Sequence, residues 1–423
     1  MRIRIFVVSI LIAAAAPAQT PLTLEQAEKL AIISSPEVAA SLLNAAAANQ
    51  VTLEVHSAAF PTAVANFTSA GAVPSSQLAA GSLTNSNVFN RIAGGVSASQ
   101  LITDFGRTGA LTASARFRAL ARAEVAKVTQ AQILLQVDRA FYAVLRAQSV
   151  LRVAQQTVGA RQTVSDQITA LGEVQLKSGL DVSFAQVNLS EARLLLVNAE
   201  SDVEAAQAEL AAALGLQERQ QFVLADPVGL LEPPPDPVTL VRTSLAARPE
   251  LLSLRADRAA ADQFSLAEQD LRKPTVSALG SFGYIPLRQN NLRSRYAAVG
   301  VNVSIPIFNG HLFSAREAEA ELRAREAAQN VKIQENRISR DVQIAFLNAA
   351  SAYRRVGLTA ELASQAGRGL ELAQARYDLG LSSIVELSQA QLNKTSADIA
   401  NSTAKYDYRL QRSVLDYQTA ATK

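Results

Sequence analysis

Cysteine is absent from the 423-residue chain, tryptophan is absent too, and only one methionine and two histidines occur. The first absence excludes disulfides, thiol nucleophiles and thiolate metal sites. His56 and His311 both lie beside expected strand–helix junctions, where a half-exposed polar residue is ordinary. Phosphate-loop, zinc-protease and serine-hydrolase signatures are missing as well. The alternating charges from Arg316 to Arg323 read as a solvated helix face. No catalytic, cofactor or metal site emerges, and the chain reads as a non-enzyme. Aromatic residues are 5% of the chain against 49% hydrophobic, an alanine-rich balance that suits long, closely packed helices. Setting aside Arg2 and Arg4, 38 basic residues face 37 acidic ones, which leaves no footprint for nucleic acid.

Proline is missing over two long stretches, from Ser75 to Asp226 and after Pro306. Both stretches are free to form very long helices. Prolines gather instead near the start, in the middle, and before Ile307; the run Pro233-Pro234-Pro235-Asp236-Pro237 reads as an extended linker. Residues 1–18 read as a signal peptide: Arg2 and Arg4, an apolar run from Ile5 to Ala16, and an Ala16-Pro17-Ala18 cleavage site. No cysteine follows that site, so a lipid-anchored form is not expected.

What is present is a plan written twice. Leu22-Thr23-Leu24 with Ser35-Pro36-Glu37 is echoed by Val238-Thr239-Leu240 with Arg248-Pro249-Glu250. The stretch Leu101-Ile-Thr-Asp-Phe-Gly106-Arg matches Ile305-Pro306-Ile-Phe-Asn-Gly310-His, and Lys177-Ser-Gly179-Leu matches Asp378-Leu-Gly380-Leu. Leu111–Lys177 and Leu312–Asp378 are 67 residues each, long enough for helices of about 100 Å. This is an internal duplication: residues 19–215 as first repeat, 216–237 as Pro-rich linker, 238–423 as second repeat. The spacing of Leu134, Val137, Phe141, Val144, Gln148, Leu151, Gln155 and Val158 predicts a coiled-coil seam. Gly179 and Gly380 are the expected turns of two antiparallel helical hairpins.

Four segments lack Asp, Glu, Lys and Arg: Ser57–Asn90, Ile92–Thr103, Pro274–Leu287 and Tyr296–Ala315. They hold runs of the length of membrane-barrel strands, roughly nine to eleven residues. Alternation is clear from Val299 to Ile307 and from Thr275 to Tyr284, and weak in the first copy. Between the paired segments, Pro74–Asn87 and Arg288–Arg295 read as exposed loops. Four strands cannot close a barrel in lipid, so identical copies must complete it; two, three or four would serve. Gly106 and Gly310 mark the passage from barrel to helix, with Pro306 tolerated where the ladder ends.

These segments, together with Ala375–Leu387, resemble the TolC-like outer-membrane efflux protein family over essentially the whole mature chain. The resemblance implies a mainly α chain with a β-barrel part. In a homotrimer, four strands per chain would form a twelve-stranded barrel in outer-membrane lipid, above a long periplasmic α-barrel of helical hairpins. It implies the exit duct of a tripartite efflux pump or type I secretion system, docked by its tips to a periplasmic adaptor (membrane fusion) protein, with an inner-membrane transporter supplying the energy. By the resemblance Glu386 would face the lumen at the aperture, with Gln389 at a second position that is acidic in some members; a solvated helix-end carboxylate is the competing reading of Glu386. Ser382 stands where some members carry an arginine clasp, Tyr377 matches a tip tyrosine, and Arg376 would meet the adaptor or its own helix. Asp181 would help close the aperture or cap its helix. A periplasmic coiled-coil or adaptor protein without a membrane barrel is the rival reading.

Overall fold

The computed structural model describes residues 21–71, 77–80, 83–87, 90–216, 221–227, 229–287 and 293–421. The signal peptide, residues 74–76 and 81–82 of the Pro74–Asn87 insert and residues 288–292 of the Arg288–Arg295 insert lie outside them. The elements in order are α1 (Leu24–Ser34), α2 (Pro36–Ser57), β1 (Thr62–Ala70), β2 (Gln77–Ala80), β3 (Leu83–Asn87), β4 (Arg91–Thr103), α3 (Arg107–Glu173), α4 (Gly179–Ala213), α5 (Pro237–Ala247), α6 (Pro249–Gln269), β5 (Thr275–Leu287), β6 (Arg295–Ser304), α7 (Leu312–Asp378) and α8 (Ile384–Gln418). The described part of the first insert, expected as loop, instead carries the small antiparallel pair β2–β3.

Local chemistry sets the helix ends. Thr23 and Gln26 form a capping box on α1, and Asp236 accepts from the amides of Val238 and Thr239 to open α5. Pro36 and Pro249 stand first in α2 and α6, where proline's missing N–H costs nothing.

The chain divides into two compact units. One contains Gln132–Pro235, Ala345–Tyr417 and the chain through Pro36. In it, Val137, Phe141 and Val144 of α3 are buried, but the predicted seam does not continue in phase. Gln155 is exposed while Ala154, Arg161, Ser165 and Ile168 are buried. The stripe turns because α3 packs on two neighbours: Gln162 accepts from Arg193 of α4 at 2.8 Å, and Arg146 pairs with Asp407 of α8 at 3.3 Å. At the far end of the same hairpin Ser34 donates to Leu214 O at 2.5 Å. Gly215 follows at φ +73°, and an added Cβ there would sit 3.2 Å from Ser34 O.

The second unit contains Glu37–Ala131 and Asp236–Ile344. Leu251, Val331, Ile338 and Val342 form its helical core with Leu240, Val241 and Leu245; full burial of each such side chain stabilises by about 2 kcal/mol. Four strands form one antiparallel sheet in the order β1-β4-β5-β6.

Candidate functional site: the sheet and the hairpin tips

Residues paired across antiparallel strands share a face, so the register sorts the sheet row by row. One row is Ala65, Val96, Phe282 and Ala297; the next on that face is Ala63, Ala98, Gly280 and Val299. The alternate rows belong to the other face: Val64, Ser97, Ser281 and Ala298, then Thr62, Ser99, Leu279 and Gly300. One face is thus largely apolar and the other rich in hydroxyls, with Thr62 and Ser99 bonded at 2.8 Å. In the first copy, where alternation was weak, register decides what composition left open.

A further row on the hydroxyl-rich face is Asn66, Gly95, Gly283 and Tyr296. The Tyr296 phenol lies across both glycines: an added Cβ would meet its hydroxyl at 2.2 Å over Gly95 and 2.5 Å over Gly283. The outer strands β1 and β6 each have one neighbour, and apolar side chains stand bare on them, with Phe67 89% and Val299 93% exposed.

At the strand–helix junctions the two copies place left-handed backbone one residue out of step with their glycines. Phe105 (φ +57°) and Gly106 (φ +111°) precede α3, whereas Gly310 (φ +61°) and His311 (φ +66°) precede α7. Asp104 then caps α3, accepting from the Thr108 amide at 2.7 Å and from the Gly106 amide at 3.2 Å. Burial works against its charge, but these hydrogen bonds win and hold its carboxyl below the usual range. Pro306 stands just beyond β6, which ends at Ser304.

The hairpin tips of the first unit repeat this pattern. At the second tip Gly380 takes φ +74°, and Leu381 N–H closes on Arg376 O at 2.8 Å. At the first tip the same bond runs from Leu176 to Leu171 O at 2.8 Å, but the left-handed residue is Gln175 (φ +59°). Gly179, expected in the turn, is the first residue of α4 instead. Its amide lies beyond the N-cap Ser178, which forms a reciprocal capping box with Asp181. Asp181 is therefore a helix cap. Glu386 has the matching place: its amide donates to Ser383 Oγ at 3.3 Å, and its carboxylate pairs with Arg376 at 3.2 Å. Arg376 also donates to Leu381 O at 3.3 Å.

Between the two tips Ile168, Ala185, Tyr377, Ile384 and Leu387 form a buried cluster. Lys177 Nζ stands 3.8 Å from the centre of the Tyr377 ring. The Tyr377 hydroxyl is buried without a hydrogen-bond partner among the described residues. Burial, with Asp181 and Asp378 nearby, pushes it up to about 12. Ser382 has an equally enclosed hydroxyl, unpaired among the described residues, while Gln389 bonds along its own helix to Asn393 at 3.0 Å. Sequence reasoning missed Lys177 and Gln175; it offered Asp181 as a cap, for which Ser178-x-x-Asp181 was the readable signal.

The profile described as outer membrane efflux protein matches residues 28–216 and 240–416, one segment in each half. The chain belongs to that family. It is 25% identical to the outer membrane protein TolC of Vibrio cholerae over 307 residues, covering 69% of this chain and 68% of that protein. Among solved structures, a membrane protein from Pseudomonas aeruginosa superposes with a TM-score of 0.77 at 21% identity, covering 94% of this chain and 93% of its own. The outer membrane protein VceC from Vibrio cholerae gives 0.79 at 16% identity, covering 94% and 95%. The fold is accordingly that of TolC-like channels, and the family is one of efflux channels, not of enzymes. It places this chain in the bacterial outer membrane with helices reaching into the periplasm. The rival reading, a periplasmic coiled-coil or adaptor protein without a membrane barrel, is set aside by that family membership.

Proposed function

We propose that three copies of this chain form a passive exit duct of a tripartite efflux pump or type I secretion system. The observation that carries this reading is the four-stranded sheet with one neighbour missing at each edge. In hydrocarbon every open backbone group costs several kcal/mol, so strands of other copies must pair with β1 and β6. The apolar face of Phe67, Val96, Phe282 and Val299 then meets lipid, and the face of Ser97, Ser99 and Ser281 lines the bore. Three copies give twelve strands, wide enough for an aqueous lumen, where eight leave little.

The α3–α4 and α7–α8 tips are the end that docks to a periplasmic adaptor. Exposed Leu176, Leu180, Leu379 and Leu381 flank the two turns there, an apolar surface of the kind a partner covers. No step in this reading needs an active site; the inner-membrane transporter supplies the energy. The test is reconstitution in planar bilayers of protein extracted from outer membranes. Stable stepwise conductance, with a folded band that migrates differently once boiled, is the expected result; neither would appear for a strand-free periplasmic protein.

A further inference from the structure

The two ends of the sheet carry charge in different ways. At the helix end the signs are mixed and matched: Asp104 caps α3, Lys273 pairs with Asp270 at 2.6 Å, and Arg272 pairs with Glu317 at 2.7 Å. Towards the far end every charged residue is an arginine: Arg91, Arg288, Arg293 and Arg295. No aspartate, glutamate or lysine occurs from Ser57 to Thr103 or from Pro274 to Ala315. A neighbouring copy brings strands of the same composition, so its sheet supplies no carboxylate either.

Register and strand length place Arg295. It pairs with Tyr284, Tyr284 with Gly94, and Gly94 with Phe67, so all four share the apolar face. Tyr296, next along β6, belongs to the hydroxyl-rich face. The Ile285 amide donates to Ser294 O at 2.7 Å, so pairing continues past Arg295. The two-residue period then puts Arg293 on the same side, and both arginines are exposed. Strand β6 runs 10 residues from Arg295 to Ser304, about 30 Å of chain and, at a tilt of roughly 40°, about 23 Å of height. The apolar band of an outer-membrane barrel is about 25 Å tall. Arg295 therefore stands at its outer edge, level with Tyr284 and Phe67, with Phe282 one row deeper.

We propose that Arg293 and Arg295 bind the phosphate of an outer-leaflet lipid headgroup, whose acyl chains lie against Phe67, Phe282 and Tyr284. A guanidinium grips phosphate with paired N–H donors, and arginine is the only cation this end of the sheet uses. The occupant is a lipid because both arginines stand on the face turned away from the bore, beside the aromatic rings that mark a membrane boundary. Cargo in the bore meets Tyr296 instead. The inference rests on the facing of the sheet in the channel proposed above and adds the lipid chemistry that this face recognises.

The test uses protein extracted from outer membranes, stripped of lipid in detergent, then loaded with bisphosphorylated lipid A or with its dephosphorylated form, which has the same acyl chains. Native mass measurement should show the bisphosphorylated lipid retained on the wild-type oligomer, and retained about tenfold less on Arg293→Gln/Arg295→Gln. Equal retention of the two lipids, or equal retention by wild type and variant, overturns the site. Displacement of the bound lipid by excess inorganic phosphate marks a free-anion site and overturns the lipid as occupant. A change of ion selectivity in the variant puts the arginines in the bore and overturns the facing. Wild-type protein that neither assembles nor conducts overturns instead the channel reading on which the site rests.

Discussion

The two hairpins are built to one length, yet their tips are furnished differently. At the 205-residue offset of α7 from α3 and of α8 from α4, Tyr377, Ile384 and Leu387 of the second tip answer to Gly172, Gly179 and Val182 of the first. The first three are buried in one cluster, against which Val182 packs partly buried. An added Cβ on Gly172 would already meet Val182 at 2.8 Å. The turn itself is reversed in quality: the second uses Gly380 for the left-handed residue, the first makes Gln175 adopt it. The first tip recovers stability through its Ser178–Asp181 capping box. A duplicated hairpin has thus split into a member with bulky buried residues at its tip and a member with glycine at two of the three matching places.

The largest expected effect breaks that packing. Leu387→Ala should lower the stability of the tip by about 2–5 kcal/mol, while Val182→Ala at the matching place should cost about 1–2 kcal/mol. Hydrogen exchange of the 370–390 segment reads both; equal losses would mean that the tips are equivalent. Next comes the turn. Gly380→Ala should cost about 1–2 kcal/mol because an L-residue is forced into left-handed backbone, and Gln175→Gly should act in the opposite direction by under about 1 kcal/mol. The same sign for both in thermal unfolding would contradict the assignment of the two left-handed residues.

A pH step separates the tips further. The folded state holds the Tyr377 proton up to about 12 against an ordinary 10.0, so the stability it contributes is complete below pH 10 and falls as pH rises towards 12. Tyr377→Phe should erase that alkaline loss of tip protection; a wild-type-like fall in the variant would exclude Tyr377 as its source. The smallest effect on stability belongs to Glu386→Ala. Its pair with Arg376 is half-exposed and worth under about 1 kcal/mol, but bilayer conductance should become less cation-selective. Unchanged selectivity would place the Glu386 carboxylate outside the aperture.

Much of this was legible before any coordinates. Charge-free stretches located all four strands of the main sheet, because lipid tolerates no charge on the face it meets and the other face here is built of hydroxyls. Proline-free stretches located the four long helices. The duplication was visible, but glycine matching set it at 201 residues at the tips (179 to 380) and 204 at the junctions (106 to 310), where the helices run at 205. The error has a physical cause: Gly380 and Gly310 do hold left-handed backbone, but in the first copy Gln175 and Phe105 hold the corresponding places, and no sequence pattern marks a non-glycine there. The facing of β1 and β4 was hidden because Gly95, Ser97 and Ser99 alternate with little more than Val96 and Ala98; only pairing with Phe282 and Val299 through the sheet assigned a side. The contact of Lys177 with Tyr377 joins residues 200 apart and needed the tertiary structure.

Native mass measurement of the protein extracted from outer membranes tests the central claim most directly. The account predicts the mass of three mature chains held together in detergent, the number that turns a four-stranded sheet into a closed conducting wall. A folded, conducting species with the mass of one chain would contradict it.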